Sequence, residues 1–240
     1  MLAGASNSFE TFATPHVAAM VLTAAAAGAL PLWARKVDSA KLTRRICLAI
    51  ALGLLGNEFI FYGHALATQP LKEFARASLP IHICGAAVFL TAWTLWKRSQ
   101  YVYEIAYFWG LAGTLQAVLT PNLTEGFPTY RFFQFFLAHG GIVVGVVFAT
   151  WGLKMRPARG AVLRVFVITN LYTALVAGAN WALGANYMFL CAPPLGESPF
   201  FFLPWPWYIL FLEFVALGLA LLLCLPFALG DRLRHGEQRR

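Results

Sequence analysis

Seven long apolar stretches, separated by short polar loops, occupy almost the whole chain of 240 residues. A helix that crosses a membrane needs about 20 apolar residues, and each stretch is close to that length. The pattern therefore predicts an all-α membrane protein, a seven-transmembrane-helix bundle in a single domain over residues 1–240. We place the seven spans at 16–34, 44–64, 79–96, 101–120, 131–152, 161–183 and 205–229.

Basic residues are distributed unequally between the two sides of this pattern. All but three of the 18 Lys and Arg residues lie on the side that holds the C-terminal tail, the exceptions being Lys72, Arg76 and Arg131. Short loops rich in Lys and Arg remain in the cytoplasm. The distribution predicts that the N-terminus is outside and the C-terminus cytoplasmic. The end of the bundle that holds the N-terminus is called the outer end below.

Composition and charge narrow the class of protein further. Hydrophobic residues make up 60% of the chain and charged residues 12%, whereas a soluble domain has about 25% charged residues. The net charge of +8 does not indicate nucleic-acid binding, because the basic residues are scattered over short loops and form no basic helix or known motif. Membrane lipids are the expected contacts.

The polar side chains within the predicted spans are concentrated toward the outer end. His82 begins the third span, His139 lies in the fifth, and Glu58 lies in the outer half of the second. Such groups are expensive at membrane depth unless they are paired or hydrated, so they usually face the interior of the bundle. The sequence therefore predicts a polar cavity that opens at the outer end. Further residues expected to bind a ligand there are Asn57, Gln116, Arg131, Gln134, Asn180 and Glu213.

The amides in this set have a second interpretation, because Asn and Gln also form hydrogen bonds between membrane helices. Gly140, Gly141 and Gly145 follow His139 and are typical of a close helix-packing face. The longest outer loop, about 184–204, either forms an aromatic belt at the membrane surface or folds over the mouth of the bundle.

The candidate catalytic residues are His139, His82, Glu58 and Cys84. An imidazole can move a proton near neutral pH, so we expect His139 to act as a base. His82 would be a second proton carrier or an oxyanion partner, and Glu58 would orient one of the two rings. Cys84 has three interpretations: a nucleophile, a buried packing residue, or one half of a disulfide with Cys191. No metal and no cofactor are expected, because close His pairs typical of zinc sites are absent and span seven lacks the Lys that retinal requires.

Four segments of the chain resemble the YwaF-like family of bacterial integral membrane proteins. They are Gly56-Asn57-Glu58, Leu79-Pro80-Ile81-His82-Ile83-Cys84, His139-Gly140, and Ala185-Asn186-Tyr187-Met188-Phe189-Leu190 followed by Pro193. The resemblance covers about residues 50–195 and implies a multi-pass protein of the bacterial cytoplasmic (inner) membrane. It adds Asn186 and Tyr187 to the expected ligand-binding residues.

That family is similar to a eukaryotic membrane group that includes an acyltransferase acting on ether lysophospholipids. The similarity implies catalytic roles for His82 and His139. The cysteine that precedes the first histidine in that group corresponds to Ile81 here, which has no nucleophilic atom.

Two main hypotheses for function follow. The first is lipid acyl transfer or acyl-ester hydrolysis by paired histidines, and the alternative is non-enzymatic binding, sensing or transport of a small or lipid-like ligand in the same cavity. Convergence of His82 and His139 on a lipid-accessible opening favours the enzyme, whereas separation of the two rings by packed aliphatic side chains favours the alternative. A weaker third possibility is an accessory protein for another membrane component.

Overall fold

The computed structural model describes residues 8–194 and 200–237, with side chains described as far as Asp231. Arg239 and Arg240, which contribute to the predicted charge asymmetry, lie outside the described residues. The described part of the chain is mostly helical, and its β-structure is limited to a bridge between Ser8 and Glu125. The all-α prediction is confirmed.

Eight continuous helices follow one another along the described residues. They are α1 (Thr14–Val37), α2 (Ala40–Thr68), α3 (Leu71–Ala77), α4 (Ile83–Lys97), α5 (Gln100–Phe108, the π-helical turn Trp109–Thr114 and Leu115–Leu119), α6 (Tyr130–Gly152), α7 (Ala161–Leu183) and α8 (Trp207–Glu237). Each predicted span overlaps one of these helices. The seven predicted helices omit α3, because a helix of seven residues is too short to be recognised as an apolar stretch in the sequence.

Five of the described helices are long and apolar enough to cross a membrane, namely α1, α2, α6, α7 and α8. Helix α4 has only 15 residues, and the π-helical turn divides α5 into shorter α-helical pieces. The chain is therefore a multi-pass membrane protein. Seven crossings, and the orientation with the N-terminus outside, stay predictions.

Helix α6 forms the centre of the bundle. Its most apolar stretch is 78% buried, against 17% for α7 and 6% for α8. Its glycines permit this central position, since a Cβ atom at Gly140, Gly141 or Gly145 would approach a side chain of α1, α2 or α4 to within 2.8 Å. The glycine segment is thus a helix-packing face, as the interpretation from the sequence expected.

The end of the bundle opposite the outer end is held by a buried carboxylate. Glu104 of α5 is 1% exposed and accepts hydrogen bonds from the guanidinium of Arg164 and from the amide nitrogens of Gln100 and Ala158. The shortest distance between Arg164 and Glu104 is 2.8 Å. Because buried charges require such partners, this network fixes the α6–α7 loop against α5.

Candidate functional site

A cavity of about 580 Å³ lies at the outer end, between α2, α4, α5, α6, α7 and α8 and beneath the loop that follows α7. Cavities that bind small molecules usually measure about 300–1,000 Å³. Many of the residues singled out in the sequence contribute to its wall. They are Glu58, His82, Cys84, Gln116, Arg131, Gln134, His139 and Glu213.

His139 is held in one orientation by its own helix. Its Nδ1 atom lies 2.8 Å from the carbonyl oxygen of Phe135, and the two rings are stacked with centroids 3.9 Å apart. A carbonyl oxygen can only accept a hydrogen bond, so Nδ1 carries the hydrogen. In the neutral ring Nε2 then has a free lone pair, and among the described residues it has no hydrogen-bond partner.

His82 has the opposite arrangement. It immediately precedes α4, and its Nδ1 atom accepts a hydrogen bond of 3.1 Å from the backbone N–H of Met188. Because a backbone N–H can only donate, the hydrogen of the neutral His82 ring lies on Nε2. One cavity is therefore lined by a histidine that can accept a proton at Nε2 and a histidine that can donate a hydrogen bond from Nε2.

The segment that positions His82 is locked to the bundle by two side chains. Asn180 of α7 binds Tyr187 twice, through Nδ2 to the carbonyl oxygen at 2.9 Å and through Oδ1 to the backbone N–H at 2.8 Å. The Tyr187 hydroxyl accepts from the Leu79 N–H at 3.0 Å and donates to the Ala75 carbonyl at 2.9 Å. Burial raises the pKa of this hydroxyl, which keeps it protonated and able to donate.

Asn186 stabilises a turn in the same segment, because its side-chain oxygen accepts hydrogen bonds from the N–H groups of Cys191 and Ala192. Asn180, Asn186 and Tyr187 are not among the residues that line the cavity, and their contacts position this segment; ligand binding by the three stays a prediction. Within the outer loop, Met188, Phe189 and Leu190 form part of the cavity wall. We call residues 185–192 the outer latch.

Two residues of the outer latch adopt an unusual backbone conformation. Met188 and Phe189 have φ angles of 58° and 55°, in the left-handed region that non-glycine residues avoid. Each such residue costs about 1–2 kcal/mol, which the surrounding contacts must offset. One of these contacts is the hydrogen bond from the Tyr208 hydroxyl to the Phe189 carbonyl. The result is that the Met188 N–H points at His82.

Among the described residues Glu58 forms no hydrogen bond to either histidine, and its role in orienting one of the rings stays a prediction. Glu58 is 5% exposed and accepts a hydrogen bond of 2.5 Å from the hydroxyl of Tyr62, one turn further along α2. The orienting groups are the Phe135 carbonyl and the Met188 N–H, which are backbone atoms. Asn57 donates at 3.1 Å to the Gln134 carbonyl and is not among the residues that line the cavity, so it links α2 to α6; ligand binding by Asn57 stays a prediction.

Arg131 places a positive charge in the cavity wall. Its Nη1 atom donates to the Gln134 side-chain oxygen at 2.8 Å, and its guanidinium lies 4.9 Å from the centre of the Phe61 ring. Among the described residues no carboxylate lies within ion-pair distance of it, Glu58 included. A guanidinium without a carboxylate partner is suited to bind a phosphate or carboxylate of a ligand.

Comparison with protein families gives a match over residues 11–224. The chain belongs to the TMEM164 family. No curated protein and no solved structure shows significant similarity to the chain. As a TMEM164-family member it is a polytopic membrane protein, in agreement with its apolar helices. The family match confirms neither the resemblance to the YwaF-like family nor any enzymatic activity.

The cysteines of this TMEM164-family chain are all free thiols. Cys84 and Cys191 do not form the disulfide that was one interpretation of the sequence. Cys84 lines the cavity, and its sulfur lies 3.6 Å from the hydroxyl of Thr114 in the π-helical turn of α5. No three metal-binding side chains lie together in the described ranges.

Sequence reasoning missed three features of this site. Tyr62 lies four residues after Glu58, a spacing that puts both on one helix face and could have indicated the pair. Asn170 donates to the Glu213 carboxylate at 3.1 Å, which links α7 to α8. The Met188 N–H has no signal of its own, because every residue except proline carries this group.

Proposed function

We propose that this TMEM164-family protein catalyses acyl-ester chemistry on membrane lipids. The reaction would transfer an acyl chain from a phospholipid ester to the hydroxyl of a lysophospholipid, or to water. The observation that carries this proposal is the pair of histidines, His139 and His82, with opposite hydrogen placement in the wall of one cavity. The resemblance to a lysophospholipid acyltransferase group supports the same chemistry.

In this reaction His139 is the general base. Its Nε2 accepts the proton of the attacking hydroxyl while the hydroxyl oxygen forms a bond to the ester carbonyl carbon. The negative charge that develops on the carbonyl oxygen receives a hydrogen bond from Nε2–H of His82. When the intermediate collapses, the original C–O ester bond breaks and His139 returns the proton to the leaving alkoxide. One ester is exchanged for another, and the proton balance is zero.

The remaining polar groups of the wall fit the binding of a lipid headgroup. Arg131 would bind the phosphate, since a guanidinium pairs well with phosphate oxygens. Gln116 and Gln134 line the same cavity and can donate or accept hydrogen bonds to the glycerol oxygens. Glu58 and Tyr62, which bind each other, would form part of the wall.

We further propose that the bundle crosses a bacterial cytoplasmic membrane seven times with the outer end facing away from the cytoplasm. The asymmetry of Lys and Arg residues supports this orientation. The substrate would then come from the outer leaflet, because the histidines and Arg131 lie at the outer end.

The test is acyl exchange by the purified protein in liposomes that contain a phosphatidylcholine and a lysophosphatidylcholine with a different chain. Mass spectrometry of the lipids reports the exchanged product. His139→Gln cannot accept a proton and should lower the rate by about 100-fold to 10,000-fold. His82→Gln keeps an N–H donor, so it should be more active than His82→Ala, which loses about 100-fold to 1,000-fold.

The control is His64→Gln, since His64 is exposed at the outer end of α2 and does not line the cavity. It should exchange acyl chains at the wild-type rate. If wild type and all variants retain the same lipids and none exchanges chains, the reaction is wrong, and binding or transport in the same cavity becomes the better account. Equal loss in all four variants would show that the histidines only maintain the fold.

A further inference from the structure

A second, smaller pocket of about 120 Å³ lies between α5, α7 and α8. It shares part of its wall with the main cavity, so the two spaces adjoin. The shared residues are Ile83, Ala112, Gly113, Thr169, Glu213 and Ala216.

The shared residues lie at the outer end of the small pocket. On α5, α7 and α8 the residues that belong to the small pocket alone reach inward as far as Phe108, Val162 and Ala220. Ala220 is seven residues beyond Glu213, which is about 10 Å at 1.5 Å per residue. The small pocket is therefore an inward extension of the main cavity, directed toward the end of the bundle at which α7 begins.

The wall of the extension changes from polar to apolar along its length. Glu213 and Thr169 are at the outer end, while the inner end is formed by hydrocarbon side chains. The indole N–H of Trp109 is satisfied by the Thr169 hydroxyl at 2.8 Å. A water molecule needs two to four polar partners, and the inner end offers none among its described lining residues. Hydrocarbon is the matching occupant.

The extension also lies beside two helices that are little buried. The apolar stretches of α7 and α8 are 17% and 6% buried, so these helices are largely exposed to lipid. Asn170 is exposed on α7 and is bonded to Glu213 on α8. This polar bridge joins the two helices at the level where the cavity meets the extension. A lipid chain that entered between α7 and α8 would pass it.

We propose that the extension is an acyl-chain subsite, which holds the methylene groups of a lipid chain whose ester lies in the main cavity beside His139 and His82. This assignment rests on the proposed function for the position of the ester. The occupation of the pocket by a chain can be measured without turnover.

The first experiment measures that occupation directly. A phosphatidylcholine with a diazirine near the end of one acyl chain is incorporated into nanodiscs with the protein, activated by light, and the labelled peptides are identified. We expect labels on the segments that hold Phe108, Val162 and Ala220, in wild type and equally in His139→Gln. Labels restricted to exposed side chains of α7 and α8 outside the pocket would overturn the subsite.

The second experiment fills the inner end. Ala220→Phe, or independently Val162→Phe, should abolish these labels and shift the preference in a series of saturated lysophosphatidylcholines from lauroyl to stearoyl toward shorter chains. The expected loss is about fourfold in affinity for each methylene excluded. Ala228→Phe is the control, since Ala228 is exposed on the same helix and lines neither pocket.

The outcomes separate the two proposals. If the pocket is labelled in wild type and Ala220→Phe removes the labels, but wild type exchanges no acyl chains, the subsite is supported and the proposed reaction is rejected. If both filled variants still exchange acyl chains with the wild-type chain-length preference, and the labels persist in them, the subsite is rejected and the proposed reaction is unaffected.

Discussion

Tyr187 gives the sharpest test of the outer latch. It is 0% exposed, and its hydroxyl joins the latch to the segment before α4 through the Leu79 N–H and the Ala75 carbonyl. Tyr187→Phe removes this one oxygen and leaves the ring, including its edge contact with His82 at 5.1 Å between centroids. The change therefore isolates the two hydrogen bonds from the packing.

The magnitude follows from those two bonds. Each contributes about 1 kcal/mol net, and a buried partner that is left unpaired adds up to about 1–3 kcal/mol. Since the cavity beside the latch can admit some water, we expect Tyr187→Phe to lower the free energy of unfolding by about 2–4 kcal/mol. The same variant should slow acyl exchange, because the Met188 N–H that orients His82 follows directly after Tyr187.

The pH dependence of this loss has a definite sign. Burial raises the pKa of the Tyr187 hydroxyl in the folded state above its unfolded value of about 10. A raised folded pKa gives a contribution that is fully present below the unfolded pKa and is lost only as the pH rises through the folded pKa. The difference between Tyr187→Phe and wild type should therefore be constant around neutral pH.

The assay is unfolding in mixed micelles with increasing denaturing detergent, followed by tryptophan fluorescence. Tyr101→Phe is the matched control, because Tyr101 is 67% exposed and should change stability by less than about 0.5 kcal/mol. If Tyr187→Phe is as stable as Tyr101→Phe, the latch is not held by these bonds and the orientation assigned to His82 loses its support.

Three further predictions concern the core, the thiol and the buried carboxylate. Gly145→Ala should lower the free energy of unfolding by about 1–3 kcal/mol, because the new Cβ would lie 2.5 Å from Cγ2 of Thr91. The control is Gly53→Ala, whose Cβ would have no atom within 4 Å, so it should be neutral or stabilising in the same unfolding assay. Cys84→Ala should keep acyl exchange within about threefold of wild type, since the proposed base acts on a hydroxyl, and a loss of orders of magnitude would instead indicate a covalent thioester. Glu104→Ala should lower the free energy of unfolding by about 2 kcal/mol by removing the acceptor of four donors, and an unchanged value would contradict the network at that end.

The positions of the helices and the location of the cavity could be predicted from the sequence. Hydrophobic length fixes where helices can lie, and the high cost of polar groups in lipid drives His82, His139 and Arg131 toward one interior space. Their shared lining of one cavity agrees with that reasoning. The short helix α3 carries no such signal, since seven residues are too few for a membrane period.

The hydrogen placement on the histidines could not be predicted. It depends on the Phe135 carbonyl and the Met188 N–H, which are backbone groups and are therefore independent of the type of residue at those positions. Asn180 illustrates the same limit, because an amide that binds a ligand and an amide that binds a loop look alike in sequence. Only the three-dimensional contact with Tyr187 distinguishes them.

The central claim is that His139 and His82 act together on one substrate. The most direct measurement is a double-mutant cycle on the rate of acyl exchange in liposomes, with His139→Gln, His82→Ala and the double variant. Because both residues act on one transition state, we expect a measurable interaction energy, with a loss in the double variant smaller than the product of the two single losses. Losses that multiply without any interaction energy, or a wild type that exchanges no acyl chains, would contradict the account.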